Sequence, residues 1–315
     1  MRWPILGLIL LTSSCSSVKT DPQTVRIEAD PRLVVPYTDA LEGNHPLIQS
    51  GVFKFNAHQK TLFYAAVHHV PSKNEPIVIK SHTIQMIQKI FDENSITAVV
   101  VEGFTKWAPW REGELPSELA KNVDRCEAND FQTGCGETMY ALSQARKKHA
   151  KIFRGEPTET EAMSKIQKAG YTLEDLLVYY VVRMIPGWKN DGQFNPSTYQ
   201  KLIEERIEIE KKTMGLQTQF DFSEFNTWFK KHMNAPASYS ILSQIETGPR
   251  TTPNATFIQR ISAADCIIRD QSIVERIADA LNETHSVFVI YGSSHYFSEK
   301  PALEKMMGEA IFLKI

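Results

Sequence analysis

The sequence has almost no net charge, few cysteines and no long apolar run. It contains 35 lysine and arginine residues against 37 aspartate and glutamate residues, so a net charge of −2 gives no indication of a nucleic-acid partner. Neither an internal repeat nor a low-complexity tract is present. With 42% hydrophobic and 23% charged residues over 315 positions, the composition is that of an ordinary globular protein with one large domain or two small ones.

The apolar run near the amino terminus, at 5–11, is too short to span a bilayer. Arg2 precedes this run and small residues followed by Cys15 come after it, a pattern typical of an export signal. The small residues and the cysteine are similar to the lipobox of bacterial lipoproteins, although Thr12 stands where Leu is commoner. We therefore expect a signal peptide over 1–14, lipidation of Cys15 and an anchor in a bacterial membrane facing the periplasm, the outer membrane being favoured. Simple secretion is the alternative.

The cysteines are interpreted in the light of export. Cys126 and Cys135 lie nine residues apart within 103–136, a stretch with no hydrophobic period that is predicted to be a long surface loop. In an oxidising compartment this pair is expected to form a disulfide. A metal clip is the alternative, but Cys-x-x-Cys and a nearby histidine are both missing. Cys266 lies in a helical pattern and is predicted to be a buried apolar residue.

Polar, titratable side chains follow short apolar runs that are typical of strands buried on both faces of a parallel sheet. Such runs occur at 62–67, 96–101 and 287–291. The first is followed by His68, the second by Glu102 and the third, after Gly-Ser-Ser, by His295. A shorter strand pattern is followed by Glu156. Because ligands of open α/β sheets bind at the carboxyl ends of the strands, these positions predict a functional site.

Strand patterns alternate with helical ones, which predicts an α/β fold with a mostly parallel central sheet flanked by helices. Only helical patterns occur from about 158 to 234 and a loop is expected over 238–254, so an inserted helical cap is predicted over about 158–250. Residues 15–50 are expected to be a tether and lead-in, and 51–315 a single α/β hydrolase-like domain. A helix capped by Asn254 and a helix starting at Glu299 are also predicted.

The order of the strand-end motifs resembles one superfamily, which contains the erythromycin-esterase-like and ChaN-like proteins and the related TIKI/TraB/GumN group. The motifs are Ala65-Ala66-Val67-His68, Val101-Glu102-Gly103, Gly155-Glu156-Pro157, Arg269-Asp270 and Gly292 to His295. In the TIKI group, two Gly-x-x-His motifs and acidic residues form the site of a metal-dependent protease. Esterase-like members use the same residue types without needing a metal, and ChaN-like members are lipoproteins that bind haem. The resemblance covers about 51–315, with Ala65 where the family often has Gly.

The resemblance implies a hydrolase of peptides or esters with a site formed by His68, Glu102, Glu156, Arg269 and His295. His68, Glu102 and His295 would hold a divalent ion (Mn, Co or Zn) that leaves a position open for water. Glu156 would be the general base, although exchange of its role with that of Glu102 stays open. Arg269 would stabilise an oxyanion or position a substrate carboxylate. In a metal-free version, a histidine would activate water directly and a glutamate would orient it.

Plainer explanations exist for the same residues. A histidine such as His295 could be purely structural, and the two glutamates could merely form ion pairs with Arg269. His69 could replace His68, because neighbouring residues of a strand point to opposite faces. The rival class is a non-catalytic haem-binding lipoprotein in which Tyr291, Tyr296 or a histidine ligates iron. Without Cys-x-x-Cys-His, covalent haem attachment is excluded. A structural envelope protein is a third class, and no oligomeric state is predicted.

Overall fold

A six-stranded mixed sheet forms the centre of the fold in a computed structural model, which describes residues 25–38, 51–67, 81–103, 114–131 and 135–314. The strands are β1 (Gly51–Ala57), β2 (Lys60–Val67), β3 (Ala98–Val101), β4 (Lys151–Arg154), β5 (Ser286–Gly292) and β6 (Ile311–Leu313). Their order is β4-β3-β5-β2-β1-β6. Strands β4, β3, β5 and β2 are parallel, and β1 pairs antiparallel with both β2 and β6. The predicted α/β class with a mostly parallel sheet is confirmed.

The strand order brings the predicted site positions to one edge. Strand β5, although late in the chain, lies between β2 and β3. Val67 at the end of β2 is in register with Gly292 of β5, and Val101 at the end of β3 is in register with Ile290. The carboxyl ends of these parallel strands therefore meet at the same edge of the sheet.

Two helical layers cover the two faces of the sheet. One layer contains α1 (His82–Glu93), α2 (Ser117–Ala128) and α3 (Glu137–Lys147), and the other contains α10 (Phe257–Glu283) and α11 (Ser293–Met307). Alternation along each strand sends Phe63 and Phe288 towards the first layer. Tyr64 and Tyr291 point towards the second layer. Both faces are apolar, which explains why the central strands have no polar alternation.

The stretch predicted to be an inserted helical cap is helical and has a core of its own. Its helices are α4 (Glu159–Lys168), α5 (Leu173–Val182), α6 (Ile185–Asn190), α7 (Tyr199–Met214), α8 (Phe222–Met233) and α9 (Tyr239–Leu242). Leu177, Ile203 and Phe229 are buried in this core, together with Ile258 from the first half of α10. The second half of α10 packs instead on the sheet, through residues that include Ile273. Helix α10 therefore connects the core of the helical layer with the core of the sheet.

Three local predictions were wrong. The stretch 103–136 is not a continuous loop, because it contains α2, which buries Leu119 and Val123 against the sheet layer. Helix α10 is capped by Thr256 rather than Asn254, because Thr256 and Gln259 form a reciprocal capping box. Helix α11 begins at Ser293 rather than Glu299, so it starts immediately after β5.

Part of the predicted tether packs on the domain. In the described segment 25–38, Ile27 and Val34 are buried with the sheet and α10. The Ile27 amide donates to Asn282 Oδ1 at 2.8 Å, and Asn282 Nδ2 donates to the Ile27 carbonyl at 2.8 Å. These bonds fix residues well before position 51, where the domain was predicted to begin.

Several predictions fall on residues that the structure does not describe. The signal peptide at 1–14, the lipidation site Cys15 and the histidines His68 and His69 all lie outside the described residues. Within the described part of the chain, no helix is both long enough and apolar enough to cross a bilayer.

Candidate functional site

His295 lies in the first turn of α11, directly after the central strand β5, and its side chain is 12% exposed. Its Nδ1 atom lies 2.5 Å from Oδ1 of Asp270, a buried residue of α10. Its Nε2 atom lies 3.7 Å from Oε1 of Glu102. The imidazole is thus placed between two carboxylates that come from different elements of the fold.

The hydrogen bond that His295 makes to Asp270 sets the protonation of the ring. Burial lowers the pKa of His295, but the charge of Asp270 and its hydrogen bond outweigh burial, so the pKa lies above its ordinary value. When the ring is neutral, an ionised Asp270 holds the proton on Nδ1. The Nε2 lone pair then faces Glu102, where it can bind a cation or accept a proton.

Glu102 follows β3 at the edge of the sheet and is fixed from the neighbouring strand. The amide of Gly292, the last residue of β5, donates to Glu102 Oε2 at 3.1 Å. Gly103, with a φ of 90°, then turns the backbone in a conformation that favours glycine. The Glu102 carboxylate is therefore held beside the start of α11, close to His295.

Glu156, two residues after β4, is buried, and the Arg269 guanidinium of α10 donates through Nη2 to its Oε1. Burial raises the pKa of Glu156, but the charge and hydrogen bond of Arg269 outweigh burial, so the pKa lies below its usual value. Ser272 Oγ donates to the Gly155 carbonyl at 2.9 Å and joins the same turn to α10. The ion pair that the sequence offered as a plainer explanation is present.

Glu102, Glu156 and His295 converge on one point. Each offers a ligand atom, and the three atoms lie within 4.8 Å of one another. One imidazole nitrogen with carboxylate oxygens is a donor set that suits zinc and similar divalent ions. Asp270, His295 and Glu299 form a second such group, whose ligand atoms also lie within 4.8 Å of one another.

Two acidic residues beside His295 were not predicted as site residues. The sequence points to Asp270 only as the neighbour of Arg269 and to Glu299 only as the start of a helix. Glu299 lies one helical turn after His295 in α11, so the two share a face of that helix. A sequence prediction that started the helix at Ser293 would have found this pair by its spacing of four residues.

The two tyrosines that the haem alternative names lie in the core. Tyr291 is fully buried, and its hydroxyl donates to the Val101 carbonyl at 2.8 Å. Tyr296 is 1% exposed and stacks on Phe53 with ring centroids 3.8 Å apart. Both side chains belong to the core on the second face of the sheet.

The cysteines lie in the surrounding layers. Cys126 of α2 and Cys135, just before α3, form a disulfide with Cα atoms 5.6 Å apart, which is the predicted pair. Cys266 of α10 is a free thiol of intermediate exposure. Burial, with smaller contributions from Asp270 and Asp265, raises its pKa to about 12, so this thiol is protonated and unreactive at neutral pH.

Comparisons with known proteins add no relatives to this description. A scan against protein-family models, a search of curated proteins and a search of solved structures each returned no match.

Proposed function

We propose that the protein is an exported, lipid-anchored bacterial hydrolase that cleaves peptide or ester bonds at the site formed by Glu102, Glu156 and His295. The observation that carries this proposal is the convergence of the three side chains, with His295 held from behind by Asp270. An imidazole oriented by a carboxylate is a common arrangement in both metal sites and acid–base sites.

The residues present fit a divalent cation (Mn, Co or Zn). His295 Nε2 and a Glu102 oxygen would be the principal ligands, and the Glu156 oxygen not engaged by Arg269 would complete the set among the described residues. His68 is a further ligand by the resemblance. A bound cation would supply Lewis acidity, polarising a substrate carbonyl and lowering the pKa of water.

The protein's own residues have distinct tasks in this proposal. Asp270 keeps the Nδ1 proton in place, so that Nε2 is presented to the site. Glu156 is ionised across the neutral range, which suits a ligand better than a general base, because a base works best with a pKa near the operating pH. The ligand role therefore suits Glu156 as well as Glu102. Arg269 fixes Glu156 and keeps a positive charge beside the place where an oxyanion would form.

Export is supported by the disulfide. Disulfides persist in oxidising compartments such as the periplasm and are rare in a reducing cytosol. The buried Cys126–Cys135 bond is consistent with the sequence pattern around Cys15, which carries the proposed signal peptide and lipid anchor.

The test is the metal content of the purified protein, measured beside its activity on a peptide and ester panel. The wild type should hold about one Mn, Co or Zn per chain, whereas His295→Ala and Glu102→Gln should hold none and should lose hydrolysis. The control is His285→Ala, which removes an exposed imidazole at the amino end of β5, away from the carboxyl ends of the strands. It should change neither the metal content nor the hydrolytic activity. Wild-type protein without metal after loading with each ion would contradict the metal claim.

A metal-free hydrolase is a second candidate, favoured by the Asp270–His295 pair. A histidine whose pKa is raised by a buried aspartate can act as a general base without any ion. Hydrolysis that survives exhaustive chelation but is lost in His295→Ala would select this candidate. Uptake of haem with a Soret band and no hydrolysis would support the haem-binding alternative instead.

A further inference from the structure

A cavity of about 200 Å³ adjoins the proposed site and shares Glu156 and Arg269 with it. Its other walls come from the helical layer, through residues that include Tyr180 and Arg183 at the end of α5 and Arg206 and Glu210 of α7. Asp265 of α10 also lines it. A group bound in this cavity would lie next to the atoms that the proposed function assigns to catalysis.

The charges that line the cavity are largely paired with one another. Arg269 is bound to Glu156, and Arg206 is bound to Glu210 one turn further along α7. The cavity is lined by three arginines and four acidic residues, the fourth being Glu159, so its walls carry a small excess of negative charge.

Asp265 is the incompletely satisfied member of this set. It is 1% exposed, and its Oδ1 accepts from the Tyr180 hydroxyl at 3.2 Å. Its Oδ2 has no hydrogen-bond partner in the part of the chain that the structure describes, and Arg183 Nη1 lies 4.0 Å away, beyond hydrogen-bond distance. An acceptor left unsatisfied in a buried position is energetically costly, so its presence beside a cavity points to a donor supplied by a ligand.

Arg183 does not supply that donor, although its charge lies close enough to attract the Asp265 carboxylate. Its guanidinium lies over the Tyr180 ring, 4.6 Å from the centroid, and its side chain is 40% exposed. Burial raises the pKa of Asp265 even though Arg269 and Arg183 act to lower it, which is the behaviour of a carboxylate with too little counter-charge. A cation that entered the cavity would supply both the missing charge and the missing hydrogen bond.

We propose that this cavity is a subsite for a primary ammonium group of the substrate, bound by Asp265. The shared residues Glu156 and Arg269 place such a group close to the bond to be cleaved. The substrate class is therefore an amine-bearing ester or peptide, such as a peptide with a free amino terminus. This assignment rests on the proposed function only where it calls the amine part of a substrate. Binding of the amine itself can be measured without turnover.

The experiment measures the affinity of the purified protein for three probes of similar size by calorimetry. The probes are L-leucinamide (cationic), N-acetyl-L-leucinamide (neutral) and N-acetyl-L-leucine (anionic). The wild type should bind the cationic probe at least about tenfold more tightly than the other two, the usual contribution of one charge-assisted hydrogen bond.

Two variants should move that preference in opposite directions. Asp265→Asn keeps the shape of the side chain and should abolish the preference for the cationic probe. Arg183→Met removes the competing cation and should tighten binding of that probe, a gain that a folding defect cannot produce. Asp279→Asn, the same change at a half-exposed position of α10 outside the cavity, is the matched control and should leave all three affinities unchanged.

The outcomes separate this subsite from the proposed function. Three results would overturn the subsite, even in an active hydrolase. They are equal affinity for the three probes, no binding of any probe, and a preference for the anionic probe that Arg183→Met abolishes. Preference for the cationic probe in a protein without hydrolytic activity would support the subsite and contradict the hydrolase.

Discussion

The Glu299 carboxyl is fully buried in α11. Burial raises its pKa well above the usual value, and the negative charge of Asp270 raises it further. The protonated form is therefore favoured in the folded protein, whereas an unfolded chain releases this proton near pH ~4.3. Folding is thus linked to proton uptake at this residue.

Replacing Glu299 with glutamine should stabilise the protein in a pH-dependent manner. Below about pH 4 the carboxyl is protonated in both states, so the Glu299→Gln variant and the wild type should differ little. As the pH rises above that value, the unfolded wild type gains from ionisation first, so the advantage of the variant should grow by up to about 1.4 kcal/mol per pH unit until the folded-state pKa is reached. Urea unfolding at several pH values, with a chelator present to exclude metal binding, measures this difference.

The control for this prediction is Glu309→Gln, which makes the same change at an exposed carboxylate and should leave the pH dependence unaltered. A Glu299→Gln variant that is destabilised equally at every pH would show that the carboxyl has a structural role that glutamine cannot fill.

At the scale of single residues, the predicted site could be derived only where a side chain ends a strand. Glu102, Glu156 and His295 were predictable because apolar runs mark strands and the carboxyl ends of parallel strands meet. Asp265, Asp270 and Glu299 lie inside helices, where an acidic residue is ordinarily a solvated one. Their importance follows from burial, which depends on the elements packed around α10 and α11.

The turn after β4 shows how closely two elements can approach. A Cβ atom at Gly155 would lie 2.2 Å from the Tyr291 hydroxyl and 3.1 Å from Val100 Cγ1. Tyr291 cannot yield, because it is fully buried and its hydroxyl is bonded to the Val101 carbonyl. A glycine is therefore required here for space, and the position of the next residue, Glu156, depends on this contact.

We expect Gly155→Ala to lower the free energy of unfolding by about 1–3 kcal/mol, the usual cost of overpacking a core. It should also weaken activity by displacing Glu156. The matched control is Gly187→Ala in α6, where an added Cβ would have no atom within 4 Å and alanine favours the helix. Urea unfolding of both variants measures the effect, and a Gly155→Ala protein as stable as the wild type would contradict the close approach.

At the scale of elements, the sequence predicted strands better than helix starts. Strands β2, β3 and β5 were predicted because their apolar runs are short and bounded by polar residues. Helix α2 was missed because Pro116 precedes it without a side-chain cap, and its exposed face is strongly polar. The start of α11 was missed, although Gly292 directly precedes the helix. The position of β5 between β2 and β3 is a long-range pairing that no local pattern contains.

Across the whole molecule, the proposed site lies where two hydrophobic cores meet. The first half of α10 is buried in the helical layer, and its second half is buried against the sheet. Asp265, Arg269 and Asp270 occupy the middle of this helix. The packing of the helical layer on α10 therefore positions both the cavity and the Arg269–Glu156 ion pair.

A covalent cross-link lies on the opposite face of the sheet from α10. The disulfide joins Cys126 and Cys135, which are nine residues apart in the sequence, and so links α2 to the start of α3. Arg146 of α3 adds bonds of 2.6 Å to Asp124 and Glu127 of α2. Because a disulfide restricts the unfolded chain, removing it should lower the free energy of unfolding by about 2–3 kcal/mol for a loop of this size.

Urea unfolding of the wild type with and without reductant measures this contribution, with Cys126→Ala/Cys135→Ala as the variant that lacks the bond. Reductant should destabilise the wild type to about the level of the double variant and should not affect the double variant itself. Cys266→Ser, which changes only the free thiol, should keep the full response to reductant. Equal stability of the oxidised and reduced wild type would show that α2 and α3 are held by their apolar and ionic contacts alone.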